Sequence, residues 1–371
     1  MRINHVGVLE DQEEIKAGFI GCGSHSFRNV YPTFQFAPVN LQAVCDLRLF
    51  QAEAYAAKFG AKAAYDDFKK MIDKEDLDAV FVVTNYNKEG RPIFPQIVTE
   101  CLKLGVHVWL EKPPAATAAE IERMQAAQNE SGKTVMAGLK KMFFPANIKA
   151  KELMAEPDFG EPRMAMLQYP EVIPTIEEFE QYLDKREKVV SVQHFLDHLC
   201  HPASLLLYLF GMPDTLMYQR AAAGPGMATF TYADGRIATI ALTSGVAMDT
   251  GMERTTIIGS NGHHIVVDNN IRVAYHRNPP RPEGQHYGNT PSHFTGSPGE
   301  ATALWEPEFS LGQLYNKGLF LLGYWGEVNE FARAILENRP ICAGTLEQAW
   351  QATKIFEAFR QGAGRIIDLG Q

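Results

Sequence analysis

A lysine, a carboxylate and a histidine are the residues of this 371-residue chain whose types and places could move a proton and steady a developing negative charge. The lysine is Lys112, in Val106-His107-Val108-Trp109-Leu110-Glu111-Lys112-Pro113-Pro114. The apolar start of this stretch follows Gly105, the pattern of a helix end and then a buried strand. Pro113 and Pro114 have no N–H for a sheet ladder, so the strand must stop before them. Glu111 and Lys112 therefore fall at the carboxyl end of a strand, where open α/β sheets bind ligands. A fixed ammonium there can hydrogen-bond an oxygen that is turning from hydroxyl into carbonyl. The other two residues are Asp197 and His201. On one helix they lie i, i+4 on a common face, and an imidazole held by a carboxylate is a ready base near neutral pH. Two plainer readings stand beside this one: Pro202 could open a helix of its own, and His201 could cap or pack. His194, Asp197, His198 and His201 also have spacings that zinc could use, but no cysteine joins them and no metal is expected.

These residues need elements to position them, and the first half of the chain supplies a rhythm of strand, turn and helix. Ala17-Gly18-Phe19-Ile20 runs into Gly21-Cys22-Gly23-Ser24-His25-Ser26, a G-x-G-x-x-S turn. The first glycine makes the turn, the second lets backbone approach a pyrophosphate, and the third position must be small for close helix packing. Alone, the motif is as compatible with an ordinary loop. A second strand, Leu41 to Cys45, ends in Asp46, 20 residues after Ser26. A carboxylate there can accept hydrogen bonds from both ribose hydroxyls and would repel a 2′-phosphate, which favours NAD over NADP. Arg48 could partly rescue NADP, and Asp46 could instead cap a helix over Leu47 to Phe59. Further strands are expected at Asp78–Thr84 and Thr134–Leu139, with helices at Gln96–Leu104 and Ala118–Asn129. Only a parallel, doubly wound sheet fits that alternation.

Composition narrows the class. The chain is 46% hydrophobic and 21% charged, an ordinary globular balance, and its length suits two domains. A formal charge of −9 argues against nucleic acid or an anionic membrane as main partner. Five scattered cysteines without a C-x-x-C pair fit buried thiols in a reducing compartment. Met1 to Glu14 has four acidic residues and no apolar signal core, and the apolar run Ala203–Met212 is half a membrane span. A cytoplasmic protein is expected.

In these pieces the chain resembles the Gfo/Idh/MocA (glucose–fructose oxidoreductase / inositol dehydrogenase) family. The resemblance rests on Gly21-Cys22-Gly23, Cys45-Asp46, Thr84 before a polar turn, Gly105-Val106-His107-Val108, Glu111-Lys112-Pro113, Phe159-Gly160-Glu161-Pro162-Arg163 and Asp197-His198-Leu199-Cys200-His201-Pro202. It implies NAD(P)-dependent dehydrogenation of sugars, cyclitols and related polyols, by a Rossmann domain joined to an α+β domain with a large open sheet. It also implies Lys112, Asp197 and His201 as the catalytic residues. Cofactor contacts are expected from Gly21, Gly23, Ser24, His25, Ser26, Asp46, Arg48, Thr84, Asn85, Glu111 and Lys112. The substrate side should take in Lys140, Lys141, Tyr169, His198, Tyr324 and Trp325. Three departures fall on that side: an insertion around Glu89–Phe94 without the usual Pro-Asn after Thr84, His198 after Asp197, and Lys141-Met142 before Phe143-Phe144-Pro145.

The expected domains are an extension at 1–16, a dinucleotide-binding domain at 17–140 and a substrate domain at 141–371. The last helices of that domain, Val328–Glu337 and Leu346–Gln361, should pack back on the first. Arg163–Tyr169 reads as a strand, Ile176–Glu187 as a charged helix, and Met227–Ser244 and Glu253–His276 as antiparallel hairpins. The mostly antiparallel sheet they build is the expected face of a homodimer or homotetramer. Residues 278–309, with six prolines and four glycines, read as a long loop carrying His286, Tyr287, His293, Phe294 and Trp305. A sugar could stack on these aromatics or on Tyr324-Trp325, although core packing serves either equally well.

The activity expected is oxidation of a secondary hydroxyl of a sugar, glycoside or cyclitol, or the reverse. Two alternatives use the same residues differently: an enzyme that keeps its NAD and performs a transient oxidation with no net redox change, and a sugar or dinucleotide sensor. Cofactor choice should follow Asp46. NAD should bind at least about tenfold more tightly than NADP, roughly 1.4 kcal/mol, and Asp46→Ala should narrow the gap. Titration of the unmodified protein with both cofactors checks this, and equal affinities would refute it.

Overall fold

The structure, a computed structural model, describes residues 13–245, 252–277, 302–307 and 317–370. It divides into two compact units. One holds the described residues within Met1–Phe144, Pro174–Tyr208 and Asn316–Gly362; the other holds those within Pro145–Ile173, Leu209–Tyr315 and Ala363–Gln371. This partition differs from a single cut after residue 140, because two later helical segments belong with the first unit.

The first unit is built on six parallel strands in the order β3-β2-β1-β4-β5-β6. They are β1 (Ile15–Ile20), β2 (Val39–Cys45), β3 (Ala63–Tyr65), β4 (Ala79–Val82), β5 (His107–Leu110) and β6 (Val135–Ala137). All of β4 and Val108-Trp109-Leu110 of β5 are fully buried. Strands covered on both faces carry apolar residues in succession instead of alternation. The connecting helices are α1 (Leu49–Phe59), α2 (Phe68–Lys74), α3 (Phe94–Lys103) and α4 (Ala118–Ser131). The short β3 and α2 have too few residues to show a period, so the sequence pattern passed them over.

The first unit also contains α6 (Ile176–Leu183), α7 (Val190–Phe210, through Tyr208), α8 (Lys317–Leu321), α9 (Tyr324–Leu336) and α10 (Leu346–Ala358). Pro202 lies inside α7 and does not begin a helix, so Asp197 and His201 share one continuous element. Among these helices a buried aromatic cluster forms. Phe195 of α7 lies 5.9 Å from Phe179 of α6 and 5.2 Å from Phe359, with Phe356 of α10 5.6 Å from Phe179. Helix α10 packs against α4, where Ala118 N donates to Glu357 Oε1 at 3.3 Å.

The second unit carries nine strands in the order β14-β13-β12-β11-β7-β10-β9-β8-β15. These are β7 (Pro162–Tyr169), β8 (Thr215–Arg220), β9 (Gly226–Thr231), β10 (Ile237–Leu242), β11 (Arg254–Gly259), β12 (His264–Asp268), β13 (Arg272–His276), β14 (Thr302–Trp305) and β15 (Ile366–Asp368). Among the described residues of this sheet, only β7 and β10 pair in parallel. Helix α5 (Pro145–Met154) packs on β12 and β13. Along β7, Ala165, Leu167 and Tyr169 are buried while Met166 is exposed, the alternation of a sheet covered on one face. Trp305, on β14, has Lys149 Nζ 5.2 Å from its ring. Residues 1–12 and His286, Tyr287, His293 and Phe294 lie outside the described residues. Among the described residues no helix is long and apolar enough to cross a membrane.

The aromatic cluster ties α6, α7 and α10 into one core. Phe356→Ala should therefore lower unfolding stability by about 3–5 kcal/mol, measured by urea denaturation. An unchanged midpoint would show that these rings do not hold α10 in place.

Candidate active site

The turn after β1 has its glycines for separate physical reasons. Gly21 has φ 109°, and a Cβ there would sit 1.8 Å from Val83 O, beyond the end of β4. At Gly23 a Cβ would meet nothing within 4 Å, so that face of the turn is open. Ser26, in the third position, is fully buried. Its Oγ accepts from Gly23 N at 3.0 Å and lies 2.8 Å from Gly23 O and 3.2 Å from Gly21 O, so one hydroxyl staples the turn. Asp46 follows β2. Its Oδ2 accepts from Cys22 N at 2.9 Å and its Oδ1 from Arg48 N at 3.0 Å. It does not cap α1, whose N-cap is Arg48. The carboxylate is fixed beside the turn with lone pairs to spare. Arg48 Nε lies 3.6 Å from it with its guanidinium mostly exposed. Tyr55 OH donates to Gly23 O at 3.1 Å. Thr84 Oγ1 is buried without a hydrogen-bond partner among the described residues. An open glycine face, a fixed carboxylate and an orphan hydroxyl all fit a bound dinucleotide.

The turn forms one wall of a cleft of about 260 Å³, with Thr84, Asn85 and Tyr86 after β4 and Glu111, Lys112 and Pro113 after β5. Asp197 of α7 reaches the same cleft. Lys112 Nζ donates to Asp197 Oδ1 at 2.9 Å and to the Asp197 carbonyl at 3.3 Å. Burial works against the ammonium, but Cys200, Glu111 and Asp197 together raise its pKa well above the usual lysine range. The two carboxylates supply that effect near neutral pH, because burial pushes the Cys200 thiol itself up to about 12. Burial likewise opposes the Asp197 charge, and Lys112 and Tyr86 outweigh it, holding this carboxyl below its ordinary range.

The Asp197 carboxylate bonds Lys112 and Tyr86, whose OH donates to Oδ1 at 2.7 Å, while Oδ2 lies 3.7 Å from His198 Nε2. The ammonium and the phenol thus share one oxygen of the Asp197 carboxylate. His201 is buried on the same helix, and burial, followed by Lys112, Lys140 and Lys141, pushes its pKa well below the ordinary imidazole value. The imidazole is neutral near pH 7. Of the four residues whose spacing zinc could use, His194 and His198 have ring centroids 4.0 Å apart, and Asp197 Oδ1 is bonded to Lys112 and Tyr86.

Glu111 is almost wholly buried. Its Oε1 lies 2.7 Å from His25 Nε2, and its Oε2 accepts from Lys112 N at 2.6 Å. These bonds tie the glycine turn to the strand end that carries the lysine. Lys140 Nζ donates to Tyr324 OH at 2.7 Å, and Lys141 Nζ lies 4.8 Å from the Phe144 ring. Trp325 is drawn elsewhere: its Nε1 donates to Phe36 O at 2.7 Å and its ring packs on Phe320. Tyr169 is buried on β7 of the second unit. Two notable residues escaped the sequence pattern. Tyr86 sits in the departing turn after Thr84, and the insertion there was its only signal. Glu327 looks like one more polar residue of an amphipathic helix.

The family described as an oxidoreductase family with an NAD-binding Rossmann fold matches residues 15–139, and the GFO/IDH/MocA C-terminal domain matches residues 147–264. The chain belongs to the Gfo/Idh/MocA family of NAD(P)-dependent oxidoreductases. It is similar to a myo-inositol 2-dehydrogenase of Thermotoga maritima, 25% identical over 53% of this chain and 55% of that protein. It is also similar to a mouse trans-1,2-dihydrobenzene-1,2-diol dehydrogenase, 26% identical over 42% of this chain and 46% of that one. The chain thus spans about half the length of these relatives. A dehydrogenase from Chromobacterium violaceum shares the fold with a TM-score of 0.74 at 20% identity, over 93% of this chain and 94% of that one.

Glu327 on α9 is fully buried, and neither carboxyl oxygen has a hydrogen-bond partner among the described residues. Burial, helped by the Glu111 charge, raises its pKa well above the ordinary value, so it is held as the neutral acid. The unfolded chain releases that proton above about pH 4.3, whereas the folded chain keeps it. The folded state binds the extra proton, so stability falls as pH rises through this window, by up to about 1.4 kcal/mol per pH unit. Glu327→Gln keeps the shape without the proton. Its thermal midpoint should exceed that of the unmodified protein by more at pH 8 than at pH 5; a gap independent of pH would contradict a protonated Glu327.

Proposed function

We propose that this chain is an NAD-dependent dehydrogenase that oxidises a secondary hydroxyl of a sugar, glycoside or cyclitol to the ketone, or runs the reverse. One observation carries the reading: the Lys112 ammonium, locked on Asp197, faces the same cleft as the open glycine turn. The myo-inositol dehydrogenase among its relatives supports the substrate class.

Bound NAD would supply the hydride acceptor, held by the turn from Gly21 to Ser26 and by Asp46. The chain's own groups do the rest. An ammonium has three donors; Lys112 gives two to Asp197 and has one left for the substrate oxygen. The positive charge steadies that oxygen as its proton leaves. Lys112 remains protonated near neutral pH and cannot be the base. His201, buried and neutral, can accept the hydroxyl proton. We assign Lys140, Lys141, His198 and Tyr324 to the substrate side; Trp325 is left out because its indole is bonded to Phe36.

Lys112→Ala and His201→Ala should each leave NAD affinity within a few-fold and lower turnover by about two to four orders of magnitude. The double variant should be little worse than the poorer single one, since groups that act as a unit are not additive. The turnover profile should have an acidic limb below the ordinary imidazole range, because the protonated form is inactive and its pKa is depressed. That limb should vanish in His201→Ala. Purified protein is mixed with NAD and a panel of sugars and cyclitols, and the reduced-nicotinamide absorbance is followed. Full turnover by His201→Ala, or a zinc requirement, would overturn the assignment.

A further inference from the structure

Tyr86 lines the cleft, and its hydroxyl is a donor that no part of the proposed chemistry uses. Its hydroxyl donates at 2.7 Å to Asp197 Oδ1, the same oxygen that receives Lys112 Nζ at 2.9 Å. The Asp197 side chain is 30% exposed and its other oxygen faces His198 at 3.7 Å, so the carboxylate has somewhere else to turn. A lone ammonium on a flexible four-carbon stem holds a carboxylate in one orientation poorly. A phenol on a rigid ring, already in place, holds it well.

The loop that carries Tyr86 is fixed with unusual thoroughness. Tyr86 pairs with Pro92 in an isolated antiparallel bridge. Asn87 Oδ1 accepts from the backbone N–H groups of Glu89 and Arg91. Arg91 is 6% exposed; its guanidinium donates to the Tyr182 carbonyl at 3.2 Å and to Glu120 at 3.4 Å. Tyr182 OH returns a bond to Gly90 O at 2.8 Å. Gly90 has φ 71°, and a Cβ there would meet Gln193 Oε1 at 2.6 Å, so the loop lies tight against the start of α7. A buried arginine and a left-handed glycine are a heavy investment for a surface turn. Their visible result is the place of one hydroxyl.

We infer that Tyr86 is a positioning residue for the Lys112–Asp197 pair: its hydroxyl holds the Asp197 carboxylate in the orientation that leaves one Lys112 N–H directed at the substrate oxygen. This rests on the reading of Lys112 as the group that binds that oxygen. By sharing Oδ1, the phenol stabilises the ionised carboxylate, so Asp197 stays charged and in register with the lysine.

The test compares Tyr86→Phe, which keeps the ring, with Tyr182→Phe, which removes a loop anchor remote from the carboxylate. The readout independent of turnover is the rate at which Lys112 is acylated by an activated ester, followed by peptide mass spectrometry across pH. Tyr86→Phe should speed Lys112 acylation several-fold at a given pH, because a freed carboxylate holds the ammonium less well; Tyr182→Phe, which removes one loop anchor of several and keeps the Tyr86 phenol, should do so much less. With an active substrate, Tyr86→Phe should lower kcat about tenfold, the order of one hydrogen bond to a charged group, with NAD affinity unchanged. A carboxylate that has lost a donor protonates more readily, so a further acidic limb should enter the kcat profile from lower pH. Equal Lys112 reactivity in Tyr86→Phe and the unmodified protein would overturn the inference, as would an equal effect of Tyr182→Phe. If acylation responds as stated while no sugar or cyclitol is oxidised, the positioning role stands and the proposed reaction falls.

Discussion

The cleft depends on one interaction, the ion pair between Lys112 and Asp197. Its lysine side chain is only 13% exposed, and removing two charges from water costs several kcal/mol before any attraction is counted. An apolar pair of similar size would be no worse for stability. What the pair provides is a cation that keeps its proton near neutral pH and has a fixed partner, in the cleft lined by the glycine turn. The pair also brings together two distant parts of the first unit's chain, the end of β5 and the middle of α7.

Other features of the first unit can be understood as consequences of fixing that cation. Pro113 and Pro114 end the strand so that Lys112 leaves the sheet at its carboxyl edge. Gly21 allows the turn after β1 to pass against Val83 O, which brings His25 within 2.7 Å of Glu111. Glu111 in turn receives the backbone N–H of Lys112. The residue that lies beneath the expected pyrophosphate is thus two hydrogen bonds from the lysine backbone. A change in the glycine turn has a short polar route to the strand end that carries Lys112.

Much of this was legible in the sequence, for reasons that differ by element. The parallel sheet was, because strands covered on both faces write themselves as apolar runs such as Ala79–Val82. So were Gly21, Gly23, Asp46 and Lys112, since each is placed by a local constraint: a turn, a strand end, a proline stop. The unanticipated parts depend on distant partners. Asp197 and His201 share a helix face as the spacing indicated, but the carboxylate's partner was decided by Lys112 and Tyr86, 85 and 111 residues away. The partition of the chain was hidden for the same reason, since the grouping of residues 174–208 with the first unit rests on contacts such as Phe195 with Phe359. Tyr86 had no periodic or motif signal at all. The broken pattern around it was visible, and the broken pattern was where the extra residue lay.

Two buried carboxyls near this cleft show how local partners set charge. Glu111 and Glu327 each have almost no exposure, and the Glu111 charge helps raise the Glu327 pKa. Burial opposes ionisation of both. Glu111 ionises anyway, because His25 offers a 2.7 Å bond and the Lys112 backbone N–H another. Glu327 has no donor and keeps its proton. Were both ionised, two negative charges would repel one another in a buried place, with Lys140 the cation that acts on both. With Glu327 neutral, the carboxylates that act on Lys112 are Glu111 and Asp197, each already engaged by a donor of its own. Lys112 thus keeps its charge in the cleft that the glycine turn lines, with Asp197 as its fixed partner.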